Sequence, residues 1–331
     1  MPPWALASAP SQAFLLGEHA VLYRQPALAA SVDIRSRARV EVVPEAGVLE
    51  VESSAFSKPF HGRFSPSGEL SGVGEPALKS IAQGVAEIAA SKGLSDVGFR
   101  VKIDSDVPVS SGMASSASVS ASVVTAMAAA LNLKMSEQEL LEAVYVFEAI
   151  IHGRASKTGP ACAVFGGMIW VDWDSNAMRA TPLRLKVLPT FVMGLTGAPS
   201  RTKEMVSRVA EFAKRRPDIH GRIVNLIGDL ARSGREAVSS GDLASLGELM
   251  NINHGLLAAL GVSTPELDRI IWAARRAGAL GAKLSGAGGG GCAVALSEGP
   301  ASVKSAIEST GFAAILAPLA REGARVEEVV R

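Results

Sequence analysis

Two stretches of small residues are the part of this chain best suited to chemistry. The first reads Pro108-Val-Ser110-Ser111-Gly112-Met113-Ala114-Ser115-Ser116-Ala117 and lies between a strand-like and a helix-like segment. Such a turn presents backbone N–H groups at a helix N-terminus, where the helix dipole also favours an anion. Small residues let the backbone come close to a phosphate, and the two serine hydroxyls can reach a phosphate oxygen or a bound Mg²⁺. The spacing is neither that of a G-x-x-x-x-G-K-[ST] loop nor that of a G-x-G-x-x-G turn. A helix start packed tightly on a sheet would have the same composition, so this stretch alone leaves both readings open. The second stretch is Lys283-Leu-Ser285-Gly286-Ala-Gly288-Gly289-Gly-Gly291-Cys292. A flexible linker is glycine-rich too, but a linker rarely runs straight into a hydrophobic strand such as Cys-Ala-Val-Ala-Leu. A loop pressed against a ligand, needing positive φ and no side chains, fits better. Two such loops in one chain point to a phosphate-bearing ligand.

The elements that must carry these loops can be read from periodicity. Trp4 to Val43 reads as strands broken by the polar Gly17-Glu18-His19 turn, and Gly47 to Glu69 as short strands. Glu75 to Lys92 has helical spacing and is stopped by Gly93. Val97, Phe99, Val101 and Ile103 alternate as a strand should, and they lead into the first loop. Ser115 to Leu131 reads as a helix. Ser136 and Glu139 form a capping box that opens another helix, running to about Ile151. Phe165 to Val171 and Val187 to Thr196 read as strands. Helices follow up to about Ala277, then the glycine loop, a strand at Cys292–Leu296, a helix from Ala301 and a strand at Ala313–Leu316. The Asp-Ser-Asn interruption near 174–176 sets an expected boundary between domains 1–176 and 177–331.

Bulk properties set limits on partners. A chain of 331 residues suits two domains of about 150 residues each. With a formal net charge of +1, no global field recruits nucleic acid or an anionic membrane. Cys162 and Cys292 lack metal-type spacing and read as reduced packing residues. Neither a secretory leader nor a membrane span of about 20 residues is evident. The expectation is a cytoplasmic protein with a small-molecule substrate, with a homodimer as the candidate assembly.

Three blocks together resemble the mevalonate kinase family, of the archaeal type, within the superfamily of galactokinase, homoserine kinase, mevalonate kinase and phosphomevalonate kinase. Gly17-Glu18-His19-Ala-Val21-Leu-Tyr23 is close to that family's G-E-H-A-V-V-Y, and Ser111 to Ala117 is similar to its P-x-G-x-G-L-x-S-S-A loop. The run from Leu249 through His254 to Cys292 completes the likeness. Glu148, His152-Gly153, Phe165-Gly-Gly167 and Arg201 to Glu204 fall in family order. The resemblance implies an α+β chain with an N-terminal domain like ribosomal protein S5 domain 2 and a ferredoxin-like C-terminal domain. It implies ATP-dependent phosphorylation of mevalonate for isoprenoid precursors. Ser116 and Glu148 would hold Mg²⁺, while Pro108, Ser110 to Ser115, Gly286, Gly288 and Gly289 would hold ATP. Glu18, His19, Val21, Thr202 and Ser285 would lie near the alcohol. By themselves, Glu18 and His19 also suit hydrogen bonds inside a buried turn, Glu148 a solvated helix face and Thr202 a plain helix start.

The chain departs from the family at two positions. Gln12 stands where S-A-P-G-K supplies a lysine, and Gly159 stands where S-G-x-D supplies an aspartate. Cation and carboxylate are lost together, so no unpaired buried charge remains. A general base typically contributes about 10²–10⁴-fold, whereas phosphoryl transfer rests mainly on positioning and charge neutralisation. Transfer without an aspartate base is therefore expected, with Lys157 supplying positive charge; its alternative is a solvated surface lysine. Arg154 and Arg201 would favour a phosphorylated acceptor. The alternatives are a kinase for the 3-hydroxyl or for phosphomevalonate, then a mevalonate-type decarboxylase, then an inactive ligand-binding homologue.

Overall fold

Alternating small and apolar residues build the spine of the molecule, a long antiparallel pair of β1 (Trp4–Leu16) and β2 (Ala27–Val43). Both strands are buried along most of their length, and alanine is their commonest residue. The computed structural model describes residues 2–152, 156–175 and 177–331. Arg154, one of the residues expected to favour a phosphorylated acceptor, lies outside them, as does Gly153.

Around this spine the first sheet adds β3 (Val48–Ser53), β4 (Phe60–Phe64), β5 (Leu70–Val73), β6 (Gly98–Ser105), β7 (Met168–Asp174) and β8 (Ala177–Leu183). Its main order is β13-β1-β2-β6-β3-β4-β5, where β13 is Arg325–Val330, and β7 and β8 extend from the other end of β2. Only β3 and β6 pair in parallel among these strands. Helices α1 (Pro76–Ser91), α2 (Ser115–Ala130), α3 (Glu137–His152) and α4 (Thr158–Phe165) pack with this sheet. Phe60, Phe99, Val101, Ile81, Val85, Met127 and Phe147 form one core between them. The capping box is present: Ser136 N donates to Glu139 Oε2 at 2.8 Å and Glu139 N to Ser136 Oγ at 3.2 Å.

The serine-rich composition of α2 has a structural reason. Where β1 bulges between Pro10 and Ser11, the backbone loses regular partners. Ser118 Oγ donates to Ala9 O at 2.7 Å and accepts from Ser36 N at 3.2 Å. A buried hydroxyl thus takes over part of the ladder.

The second sheet has the order β10-β11-β9-β12, all antiparallel, from β9 (Thr190–Leu195), β10 (Gly281–Ser285), β11 (Cys292–Leu296) and β12 (Ala313–Pro318). Between β9 and β10 come α5 (Thr202–Arg215), α6 (Pro217–Ser240), α7 (Leu243–Ala259) and α8 (Pro265–Arg276). Helix α9 (Pro300–Glu308) joins β11 to β12. In sequence order the four strands lie 2-3-1-4, the ferredoxin-like arrangement. The two-domain α+β expectation therefore holds, but the chain does not divide at 176/177. β8 pairs with β7 across that point, and β13 returns to pair with β1. β7 and β8 pair down to Asp174 and Ala177, so the two stretches on either side belong to one sheet. Among the described residues no helix is long and apolar enough to cross a membrane. Cys162 and Cys292 are buried free thiols, both pushed up to about 12 by burial.

Candidate active site

The two small-residue loops meet. Gly286, at φ 81°, would place a Cβ 2.9 Å from Gly112 O, and one on Gly112 itself, at φ 79°, would lie 3.1 Å from Ser285 O. Any side chain at Gly286 would part the loops. The segment 196–200, leading from β9 to α5, stitches them together: Ser200 N donates to Ser110 O at 2.6 Å and Gly291 N to Ala198 O at 2.9 Å. Below this seam lies an open cleft of about 190 Å³ whose walls include Gln12, Phe14, Glu18, His19, Val21, Gly112, Ala114, Ser116, Glu148, Gly159, Thr202 and Gly286.

Not every expected residue faces that cleft. Pro108, Ser110, Ser115 and Met113 shape the loop rather than line it: Pro108 O accepts from Ser111 N, and the Met113 side chain is wholly buried. Gly288 and Gly289 allow close packing on Val262 and Met205. Ser285 is 1% exposed, and its Oγ accepts from Phe14 N at 2.9 Å. It fastens the second sheet to β1 and is corrected from a substrate contact to a structural one. Lys157 is also corrected. Its Nζ binds Glu142 Oε1 on α3 at 2.5 Å and lies over the Tyr145 ring, in a separate hollow with Gln138, Met178 and Thr181. Held there, it brings no charge to the cleft. Arg201 is exposed and pairs with Glu204.

One wall of the cleft is backed, behind Glu18, by an ion pair that sequence reading missed. Lys283 Nζ, fully buried, binds Glu18 Oε1 and the carbonyls of Phe14 and Leu284. Asn253 Nδ2 donates to Glu18 Oε2 at 3.0 Å. Burial pushes Glu18 up and Lys283 down, each offset by the other's charge. Beside it His19 sits at φ 60°, a conformation uncommon for a residue with a Cβ. Its Nε2 donates to Ala287 O at 2.9 Å, and burial lowers its pKa first of all. The ring is therefore neutral, with Nδ1 as its acceptor. A single lysine inside the five-residue buried strand Gly281–Ser285 was the signal that a partner had to exist.

The opposite wall carries Glu148 on α3 and Ser116 on α2. Ser116 Oγ is 3.2 Å from His152 Nε2, which is 3.8 Å from Glu148 Oε2. Burial pushes Glu148 up to about 7, opposed by its bond with Ser116, and its Oε1 is buried without a partner. Deeper on the same side, Gln12 faces Gly159. A Cβ at 159 would lie 3.8 Å from Gln12 Oε1, 3.1 Å from Ala114 Cβ and 3.3 Å from Ala117 Cβ. Next to the cleft, and sharing Ser116 with it, is an apolar pocket of about 170 Å³ lined by Phe56, Leu78, Ile81, Val107, Val109 and Ile151 among others. Apart from Val109, Ser115 and Ser116 of the first loop, no sequence motif announced it, because its residues come from five separate segments.

The GHMP kinases N terminal domain matches residues 79–167, and the GHMP kinases C terminal domain matches residues 235–311. The sequence is 35% identical to a mevalonate kinase of Pyrococcus horikoshii over 100% of both chains. It is 35% identical to that of Thermococcus gammatolerans over 98% of this chain and 99% of the relative. Among solved structures, L. major mevalonate kinase in complex with R-mevalonate superposes with a TM-score of 0.80 at 26% identity, covering 94% of each chain.

Proposed function

The chain belongs to the mevalonate kinase family of the GHMP kinases, and on that premise we propose that it transfers the γ-phosphoryl group of ATP to a hydroxyl of mevalonate. The observation that carries the reading is the meeting, at Ser116, of two cavities, one almost wholly apolar and one that also presents Gln12, Glu18, His19, Glu148 and Thr202. The apolar pocket suits a nucleobase. The cleft beside it, floored by backbone of the two converging loops, suits phosphates and an alcohol.

A cation also fits. The unpartnered Oε1 of Glu148 is a buried acceptor that a cation would satisfy. Among the described residues no group of three or more His, Cys, Asp or Glu could cage a metal. A cation held by Ser116 and Glu148 therefore shares its shell with phosphate oxygens and water, as Mg²⁺ does. When bound, ATP with Mg²⁺ supplies the phosphoryl group and neutralises its charge. The backbone around Gly112 and Gly286 holds the phosphates, and Val21, His19 and Phe14 close the acceptor end of the cleft. The N-terminus of α5, where Thr202 lines the cleft, offers free N–H groups to the acceptor's carboxylate. Glu18 does its work indirectly, by keeping Lys283 paired.

Arg201, one of the two residues expected to favour a phosphorylated acceptor, is exposed, pairs with Glu204 and does not line the cleft. The test is incubation of purified protein with Mg²⁺, ATP and mevalonate, with the product identified by NMR. Mevalonate 5-phosphate is expected. A 3-phosphate, a decarboxylated product or no product at all would overturn the assignment.

A further inference from the structure

We propose that Gln12 orients the acceptor hydroxyl, its carboxamide bridging that hydroxyl and the phosphoryl group in transfer. The inference rests on the kinase reading above and assigns a residue within it. Gln12 and Phe14, two apart on β1, both line the cleft. Gln12 N donates to Met113 O at 3.0 Å, which anchors the residue beside the first loop. Its side chain is buried to 7% exposure, yet Oε1 has no hydrogen-bond partner. Leaving a carboxamide oxygen dry and unpaired is costly, and such groups are rare unless a ligand completes them.

The residues that face it, Gly159, Ala114 and Ala117, offer no side-chain hydrogen bond. Gly159 has no side chain, and Ala114 and Ala117 stand too close for a larger one to enter without moving. No carboxylate shares the position, so the carboxamide is the polar group that meets Gly159. Its chemistry is two-sided: Oε1 accepts and Nε2 donates. An alcohol O–H donating to Oε1 has its lone pairs turned away from Gln12, towards the loop. An Nε2–H donating to a phosphoryl oxygen fixes the other partner. As the alcohol oxygen forms its bond to phosphorus, the bond to the β–γ bridging oxygen breaks and ADP leaves with that electron pair. A carboxamide cannot take the proton. The proton passes to an oxygen of the transferred phosphoryl group and is lost to water from the product.

The two halves of the carboxamide separate kinetically. In Gln12→Leu, which keeps the shape and removes both polar atoms, KM for mevalonate rises and kcat falls, each about tenfold or more. KM for ATP stays within about twofold, since uniform nucleotide binding is untouched. The melting temperature holds or rises, because an unpaired polar group has gone. Gln12→Glu keeps an acceptor and loses the donor, so KM for mevalonate stays near that of the unaltered chain while kcat falls about tenfold or more. It also decides the matter should Gln12→Leu fail to fold. Unchanged mevalonate KM in a folded Gln12→Leu protein, or unchanged or raised kcat in Gln12→Glu, would overturn this assignment and leave the kinase reading standing. Absence of any product from the unaltered chain would overturn the kinase reading, and this inference with it.

Discussion

The two walls of the cleft handle their carboxylates in opposite ways. On one, Glu18 has both oxygens occupied, by Lys283 and Asn253, and Lys283 also holds two carbonyls. On the other, Gln12 Oε1 and Glu148 Oε1 are buried and have no partner at all. A saturated buried ion pair is weak evidence of a ligand site, whereas an unsatisfied buried acceptor calls for one. The first wall joins a strand of the second sheet to the turn after β1. The second wall is left incomplete. Charge in this cleft is spent on architecture, and the groups free to meet ligands are mostly neutral.

The comparison breaks most easily at the ion pair. Lys283→Met leaves the Glu18 charge buried without its cation, and unfolding measurements should show a loss of about 3–5 kcal/mol. The double replacement Glu18→Leu with Lys283→Met should recover most of that, since no charge is left uncompensated. If the double variant is as unstable as the single one, the pair does more than satisfy itself. Glu148→Gln tests the incomplete wall. Turnover should fall by about 10²–10³-fold, the scale of losing one preorganised charge contact, with a steeper requirement for Mg²⁺ and no loss of fold by circular dichroism.

His254 sharpens the contrast through acidity. Burial first, then the charge of Lys283, pushes it down to about 4. The folded pKa lies below the unfolded value of about 6.5, so the unfolded chain takes up the proton first. Stability is whole above that upper value and is lost as pH falls towards the lower one. His254→Gln should flatten this acid limb, a change on the order of 1 kcal/mol. The smallest effect is expected at Lys157. Its pairing with Glu142 lies outside the cleft, so Lys157→Ala should leave kcat unaltered and stability within about 1 kcal/mol.

Local rules were legible in the sequence, and long-range ones were not. The Ser136–Glu139 box, the alternation of Phe99, Val101 and Ile103 and the helix from Ser115 all depend on neighbours a few residues apart, and they appear as read. The likeness of the loops to a kinase family brought Ser116 and Glu148 to one place, although they lie on different helices. What failed needed distance. Lys157 is two positions from Gly159, but the start of α4 turns it towards Glu142. Thr158–Phe165 forms a helix that a strand reading of Phe165 onward had overlooked. The partner of Glu18 sits in β10, on the far side of the sequence, and no periodicity could name it.

The return of Arg325–Val330 to the edge of β1 has a consequence for how the molecule can be dissected. Trp4 pairs with Val330 as well as with Glu41, so the ferredoxin-like half is an insertion in the other, not an appendage to it. A fragment ending near residue 176 would keep an open β-edge where that strand belongs, and such bare edges invite aggregation. The smallest unit that can be expected to stand by itself spans both sheets.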